Sequence, residues 1–442
     1  MFVRVKLNKP VKWYRFYSTL DSHSLKLQSG SKFVKIKPVK WYRFYSTLDS
    51  HSLKLQSGSK FVKLKPVNNL RSSSSADFVS PPNSKLQSLI WQNPLQNVYI
   101  TKKPWTPSTR EAMVEFITHL HESYPEVNVI VQPDVAEEIS QDFKSPLEND
   151  PNRPHILYTG PEQDIVNRTD LLVTLGGDGT ILHGVSMFGN TQVPPVLAFA
   201  LGTLGFLLPF DFKEHKKVFQ EVISSRAKCL HRTRLECHLK KKDSNSSIVT
   251  HAMNDIFLHR GNSPHLTNLD IFIDGEFLTR TTADGVALAT PTGSTAYSLS
   301  AGGSIVSPLV PAILMTPICP RSLSFRPLIL PHSSHIRIKI GSKLNQKPVN
   351  SVVKLSVDGI PQQDLDVGDE IYVINEVGTI YIDGTQLPTT RKTENDFNNS
   401  KKPKRSGIYC VAKTENDWIR GINELLGFNS SFRLTKRQTD ND

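Results

Sequence analysis

The sequence predicts two folded parts in series, an α/β domain followed by an all-β domain. Three observations lead there. Short apolar runs alternate with helical stretches between residues 96 and 226, the texture of a parallel sheet covered by helices. From about Cys229 the runs become short and alternating, and Gly, Asp, Asn or Pro separates them. Of 442 residues, 38% are hydrophobic and 21% charged, a balance that supports two buried cores.

The N-terminal stretch belongs to neither part. Lys9–Ile36 recurs as Lys37–Leu64, differing only at the last position (Ile36 against Leu64). Two copies are too few for a solenoid, and neither copy shows a sustained apolar period, so a duplicated non-structural segment is expected. It is basic, hydroxyl-rich and nearly free of acids, as organellar transit peptides are, and it lacks the apolar stretch of a secretory signal. Arg15-Phe16-Tyr17-Ser18 and its copy Arg43-Phe44-Tyr45-Ser46 resemble mitochondrial presequence cleavage sites. Import into the mitochondrial matrix is expected, with a mature N-terminus near Ser18 or Ser46. A disordered basic tail is the alternative.

The expected organisation is a leader over 1–75, a linker over 76–95, the α/β domain over 96–226 and the all-β domain over 227–390. A mobile loop over 391–407 and a C-terminal strand and helix over 408–442 complete it, the latter returning to the α/β domain. Asn97–Lys103, Val127–Val131, Asp170–Leu175 and Val196–Ala200 read as buried strands, and Ser108–Ser123 as a helix with Ala112, Phe116, Ile117 and Leu120 on one face. Leu269–Ile273, His335–Ile340, Val352–Val357 and Glu370–Ile374 read as alternating strands. Glu415–Leu426 reads as a last helix stopped by Gly427.

Charge and cysteine content exclude several classes. The chain holds 53 Lys and Arg against 41 Asp and Glu, but residues 1–75 carry 16 of those bases and only two acids, a net of +14. The other 367 residues hold 37 bases and 39 acids, a net of −2, so no nucleic-acid partner is expected. The apolar windows Val193–Phe210 and Ile305–Pro320 are short and interrupted by proline, so no membrane span is expected. Cys229, Cys237, Cys319 and Cys410 have neither paired nor zinc-binding spacing, which fits unpaired thiols in a reducing compartment.

Three motifs carry chemistry. In Leu171–His183 a buried strand runs into Gly176-Gly177-Asp178-Gly179-Thr180 and an apolar helix start. Glycines there let backbone N–H groups approach phosphate oxygens, and the lone acid suits a proton acceptor or a partner for Mg²⁺. A glycine turn capped by Asp178 is the plain structural reading. Neither a P-loop nor a dinucleotide-binding glycine fingerprint is present. Across the 27 residues of Thr281–Ser307 the only charged side chain is Asp284, and hydroxyls, glycines and Tyr297 suit a neutral polar ligand surface such as ribose and base. Asn254-Asp255 opens a strand-like run and offers an amide and a carboxylate to a ribose diol, or forms a simple turn.

Taken in order, GGDGT, LGTLGFL (Leu201–Leu207), Asn254-Asp255, DGVALATPTGSTAYSLSAGG and CPRSLSFRPLILP (Cys319–Pro331) resemble the NAD kinase family over roughly residues 95–430. The resemblance implies a Rossmann-like α/β domain and a β-rich, sandwich-like domain with the active site between them. It implies phosphorylation by ATP, accompanied by Mg²⁺, of the 2′-hydroxyl on the adenosine ribose of NADH and NAD⁺, in a homo-oligomer. Asp178 matches the family's proton acceptor, with Gly177 and Gly179 in the phosphate-facing turn. Asn254 and Asp255 match the pair that holds the dinucleotide, Asp284 the acid at the nicotinamide end, and Thr295, Ala296, Tyr297 and Ser300 the adenosine and ribose pocket. No carboxylate cluster reads as a metal cage, so no protein metal site is expected.

Leu208 stands where the family commonly has Ser or Thr, and Arg321 where many members have His. A catalytically weak dinucleotide sensor is therefore one rival, and a lipid kinase sharing GGDG is another, although TPTGSTAY is not a feature of such kinases. The sequence leaves open whether NADH or NAD⁺ is preferred.

Overall fold

The computed structural model describes residues 61–145, 147, 153–202, 205–243, 247–341, 352–376 and 406–427, together with short strands elsewhere. Met1–Lys54 and Leu55–Asp442 form separate units. In the first, Phe2–Val3 pairs with Tyr14–Arg15 and Leu25–Ser29 with Lys32–Ile36, both antiparallel. Ser18, Ser46 and most of the expected loop over 391–407 lie outside the described residues.

The second unit holds one large sheet and a two-sheet sandwich. The large sheet runs in the order Val62–Pro66, His155–Thr159, Asn128–Ile130, Asn97–Lys102, Leu171–Gly176, Val196–Ala200, Ile408–Ala412, Lys228–Arg232, Gln87–Trp91 and Ala76–Val79. Pairing is parallel from Val62–Pro66 through Ile408–Ala412. Three central strands, Asn97–Lys102, Leu171–Gly176 and Val196–Ala200, are buried at every residue, which is why they read as unbroken apolar runs. Helix Pro107–Ser123 starts on a proline, whose fixed φ suits the first turn, and buries Ala112, Met113, Phe116, Ile117 and Leu120. Phe116 meets Phe199 of a central strand and Phe219 of helix His215–Ile223, with ring centroids 5.9 and 5.6 Å away.

Two expectations need correction. The α/β sheet is mixed: Lys228–Arg232, Gln87–Trp91 and Ala76–Val79 form an antiparallel wing beyond Ile408–Ala412. The folded body also begins earlier than expected, because the end of the second repeat copy and the expected linker both enter this sheet. Val62 is buried and Leu64 packs against the core, whereas Lys63 and Lys65 alternate with them. Lysines on an edge strand keep its free side from pairing with another chain, and here they break up the apolar run that signals a strand. At the opposite edge Pro81-Pro82 joins two short strands, and Leu86, Leu89 and Leu95 are buried. Proline is tolerated at an edge, so the stretch reads as a linker although it is sheet.

In the sandwich one sheet runs Ser247–Ala252, Leu235–Lys240, Glu370–Asn375, Ile336–Ile340, Thr267–Ile273, Glu276–Ala283. The other runs Leu328–Pro331, Ala312–Ile318, Gly285–Ala289, Asp255–His259, Lys354–Val357, Ile360–Pro361. All pairs are antiparallel. Leu235, Cys237, Ile271 and Ile338 from the first sheet pack with Ile256, Leu288 and Met315 from the second in one core. The register sets Asp255 opposite Ala289, so Asn254-Asp255 lies beside the chain leaving the next strand for Thr290–Tyr297.

Candidate active site

Asp178 is the first residue of helix Asp178–Ser186, which follows the central strand Leu171–Gly176. Its carboxylate turns away from the glycines, toward the loop after Val196–Ala200, and Oδ1 accepts the Leu207 N–H at 3.2 Å. Gly205 makes that approach feasible, because a Cβ there would overlap the Asp178 carboxylate. Burial pushes the Asp178 pKa above the ordinary carboxylate value, while the Leu207 and Phe206 N–H groups and Arg232 pull it down. On the other face of the turn, Gly177 and Gly179 have open space where a Cβ would stand. They border a cleft of about 600 Å³ shared with Lys103, Trp105, Gln132 and His183.

The second motif and the long uncharged loop form one unit. The Thr290 N–H donates to the Asn254 carbonyl at 2.9 Å and the Thr290 hydroxyl to the Met253 carbonyl at 2.6 Å. Gly293 is pressed so closely onto the Asn254 backbone that any side chain would collide with it. Ser294 bonds Pro291 and Val306, and Ser298 bonds Thr316, all buried. The loop's hydroxyls thus divide by depth. Thr292, Ser294 and Ser298 hold the fold, while Thr295 and Ala296 are half-buried and Tyr297 and Ser300 exposed. The four that match the family's pocket are among the loop residues that solvent reaches. The Tyr297 ring lies 4.6 Å from that of Phe257, which lies 4.7 Å from His259. Burial first, and then Cys319, Asp284 and Asp255, raise the Tyr297 hydroxyl above its ordinary value. Asp284 itself pairs with Arg260 at 2.7 Å.

Sequence reasoning missed two residues. Asp358, at φ 49° in the turn after strand Lys354–Val357, accepts the N–H groups of Met253, Asn254 and Asp255 at 2.7, 2.7 and 3.1 Å. It fixes the backbone on which the second motif stands. A turn Asp-Gly carries no sequence mark of so distant a partner. Burial first, and then the Asp358 charge, push the Asp255 carboxyl up to about 7. Burial raises Asp358 as well, while the three N–H donors and Arg234 pull in the other direction. Asn254 Oδ1 is buried without a hydrogen-bond partner among the described residues, an acceptor left open at the site. The second residue missed is Arg232, whose guanidinium donates to the Thr292 hydroxyl at 3.2 Å and to the Phe206 carbonyl at 3.4 Å.

Leu208 and Arg321 take different positions. Leu208 is buried in the apolar core with Ile181, Val185 and Val196. Arg321 is exposed, and its N–H donates to the Thr282 carbonyl at 2.8 Å. Cys229, Cys237 and Cys410 are buried free thiols, and Cys319 is exposed.

A glycine turn carrying a half-buried acid, set on a parallel sheet beside an uncharged hydroxyl-rich loop, defines a phosphotransferase acting on a nucleotide. The ATP-NAD kinase N-terminal domain matches residues 98–227, and the ATP-NAD kinase C-terminal domain matches residues 253–379. The chain is 93% identical over 442 residues to the mitochondrial NADH kinase POS5 of Saccharomyces cerevisiae, with 100% of each covered. It is 38% identical over 352 residues to the mitochondrial NADH kinase pos5 of Schizosaccharomyces pombe, with 79% of each covered. A crystal structure of yeast NADH kinase complexed with NADH superimposes with a TM-score of 0.78 at 93% identity, covering 86% of this chain and 100% of that one. The chain belongs to the NAD kinase family, and the lipid-kinase alternative falls with that assignment.

Proposed function

We propose that this chain transfers the terminal phosphoryl group of ATP to the 2′-hydroxyl on the adenosine ribose of NADH, and of NAD⁺, supplying NADPH in the mitochondrial matrix. The observation that carries the mechanism is the Asp178 carboxylate, held at a helix start and linked through the 206–207 loop and Arg232 to the Thr292 turn of the dinucleotide segment. Asp178 accepts the proton of the 2′-hydroxyl as its oxygen attacks phosphorus and ADP leaves, and such a positioned base contributes about 10²–10⁴-fold. The triphosphate approaches the open backbone of Gly177 and Gly179, the glycines that flank Asp178 in the turn. Asn254, Asp255, Thr295, Ala296, Tyr297 and Ser300 hold the adenosine, ribose and remaining dinucleotide, and the open Asn254 oxygen supplies one acceptor. Asp284, tied to Arg260, stands at the nicotinamide end.

Mg²⁺ is expected to enter on the triphosphate, as in phosphoryl transfer generally, and among the described residues no three carboxylate, imidazole or thiol groups converge in a metal-binding arrangement. Mg²⁺ carried this way offsets the charge of the phosphates. Among the described residues no helix is long and apolar enough to cross a membrane. A homo-oligomer rests on the family analogy, and light scattering of the purified protein tests it. Incubating the protein with ATP, Mg²⁺ and NADH should yield NADPH, measured with an NADPH-specific reductase, and parallel kinetics with NAD⁺ rank the two acceptors. Tight NADH binding without turnover would favour the sensor reading instead.

A further inference from the structure

Two arginines stand two residues apart in the same chain segment, and their partners differ. Arg234, at 1% exposure, is gripped by both Glu376 oxygens at 3.0 and 2.7 Å and also donates to the Gly189 and Thr191 carbonyls. Its charge is matched within the fold. Arg232, at 6% exposure, closes strand Lys228–Arg232, yet among the described residues no carboxylate lies within ion-pair distance of it. Its hydrogen bonds go to a neutral hydroxyl and a neutral carbonyl, its Nε has no partner among the described residues, and the Cys410 thiol borders it. A buried guanidinium left in this state is costly, and stability alone gives no reason to keep it.

The contacts of Arg232 suggest a reason. Phe206, whose carbonyl it holds, belongs to the loop whose N–H groups bond Asp178. Thr292, whose hydroxyl it holds, opens the turn that leads to Thr295, Ala296 and Tyr297. One side chain therefore joins the loop that holds the proton acceptor to the loop expected to hold the acceptor sugar. We propose that Arg232 is a positioning residue of the transfer: it sets the spacing between Asp178 and the Thr292–Tyr297 segment. This rests on the proposed role of Asp178. The groups facing Asp178 are the Phe206 and Leu207 N–H donors and Arg232, while Lys103 and His183 line the cleft on the other face of the turn.

The test compares Arg232→Met, Arg232→Lys and Thr292→Val with the parent enzyme in kcat, in KM for each substrate, in the pH profile of kcat and in melting temperature. Arg232→Met should lose about 10²-fold in kcat, as displacement of reacting groups by roughly 1 Å does. Its acid limb should also move to higher pH, because removing the cation lets burial raise Asp178 further. Arg232→Lys should return the acid limb toward the parent position while recovering kcat only in part, since a lysine cannot hold both anchors. Thr292→Val keeps the charge and cuts one anchor, so the limb should stay while KM for NADH rises. Parent-like kcat and KM in folded Arg232→Met overturn the proposal. If Arg232→Met does not fold, parent-like kcat and KM in both Arg232→Lys and Thr292→Val overturn it. If Asp178→Ala retains full activity, the assignment of Asp178 fails instead, independently of these results.

Discussion

Asp178 in the α/β half and Asp255 in the β half are both carboxylates pressed out of water, and burial raises both. Their neighbours then separate them. Asp178 faces N–H donors and an arginine, which favour its charge, whereas Asp255 faces Asp358, which disfavours it and brings it to about 7. Similar burial with different partners leaves Asp255 titrating at about 7, while the neighbours of Asp178 pull its raised carboxyl back toward the ordinary range. The two roles expected of them, acceptor of the hydroxyl proton and hydrogen-bond partner of the sugar, follow from the surroundings rather than from residue type.

The comparison is tested most directly at the base. Asp178→Ala should cost about 10²–10⁴-fold in kcat with little change in KM for NADH, measured by steady-state NADPH formation. Retained turnover would remove the division of roles altogether.

Next in size is Asp358→Ala, outside the residues proposed to contact either substrate. It strips an ionic acceptor from three backbone N–H groups, each such bond being worth about 1.5–3 kcal/mol. Relief of the repulsion with Asp255 returns part of this. A lower melting temperature and a raised KM for NADH are expected, with kcat the least affected. A kcat loss as deep as that of Asp178→Ala at unchanged KM would show that the two halves are not separable.

The glycines give a smaller contrast. Gly293→Ala drives a methyl into the Asn254 backbone and should destabilise by about 1–3 kcal/mol while weakening NADH binding. Gly179→Ala meets nothing within 4 Å, so the melting temperature should hold while KM for ATP rises. Thermal melts of the two variants, with KM for each substrate, check whether one glycine makes room for the chain and the other for a ligand.

Much of this was legible beforehand. The buried strand before GGDG, the strand Val196–Ala200 and the helix from Pro107 follow from runs and spacings that local physics reads directly. The family pocket residues Thr295, Ala296, Tyr297 and Ser300 were placed by resemblance, and their separation from the buried Thr292, Ser294 and Ser298 appeared only in three dimensions. Arg232 and Asp358 were invisible for the same reason. Their partners lie 60 and about 105 residues away, and neither sits in a motif. The edge strand Val62–Pro66 was hidden differently, since lysines on its alternate positions gave it the composition of the leader.

Asp255→Asn should have the smallest effect on turnover and the most telling pH dependence. With its pKa near 7, Asp255 is about half protonated at neutral pH, so an amide of the same shape replaces a group already largely uncharged below that point. KM for NADH should change by less than about tenfold, the worth of one hydrogen bond of about 1 kcal/mol. Stability supplies the sign. The carboxyl binds its proton more tightly in the folded chain than in the unfolded one, where its pKa is near 3.8, so its contribution is intact below about pH 4 and lost as pH rises to about 7. The substituted amide cannot ionise, so the variant's melting temperature should overtake the parent's progressively across that window and hold a constant lead above it. If instead the two melting curves stay parallel from pH 4 to 8, Asp255 is an ordinary ionised carboxylate. The contrast with Asp178 would then rest on position alone.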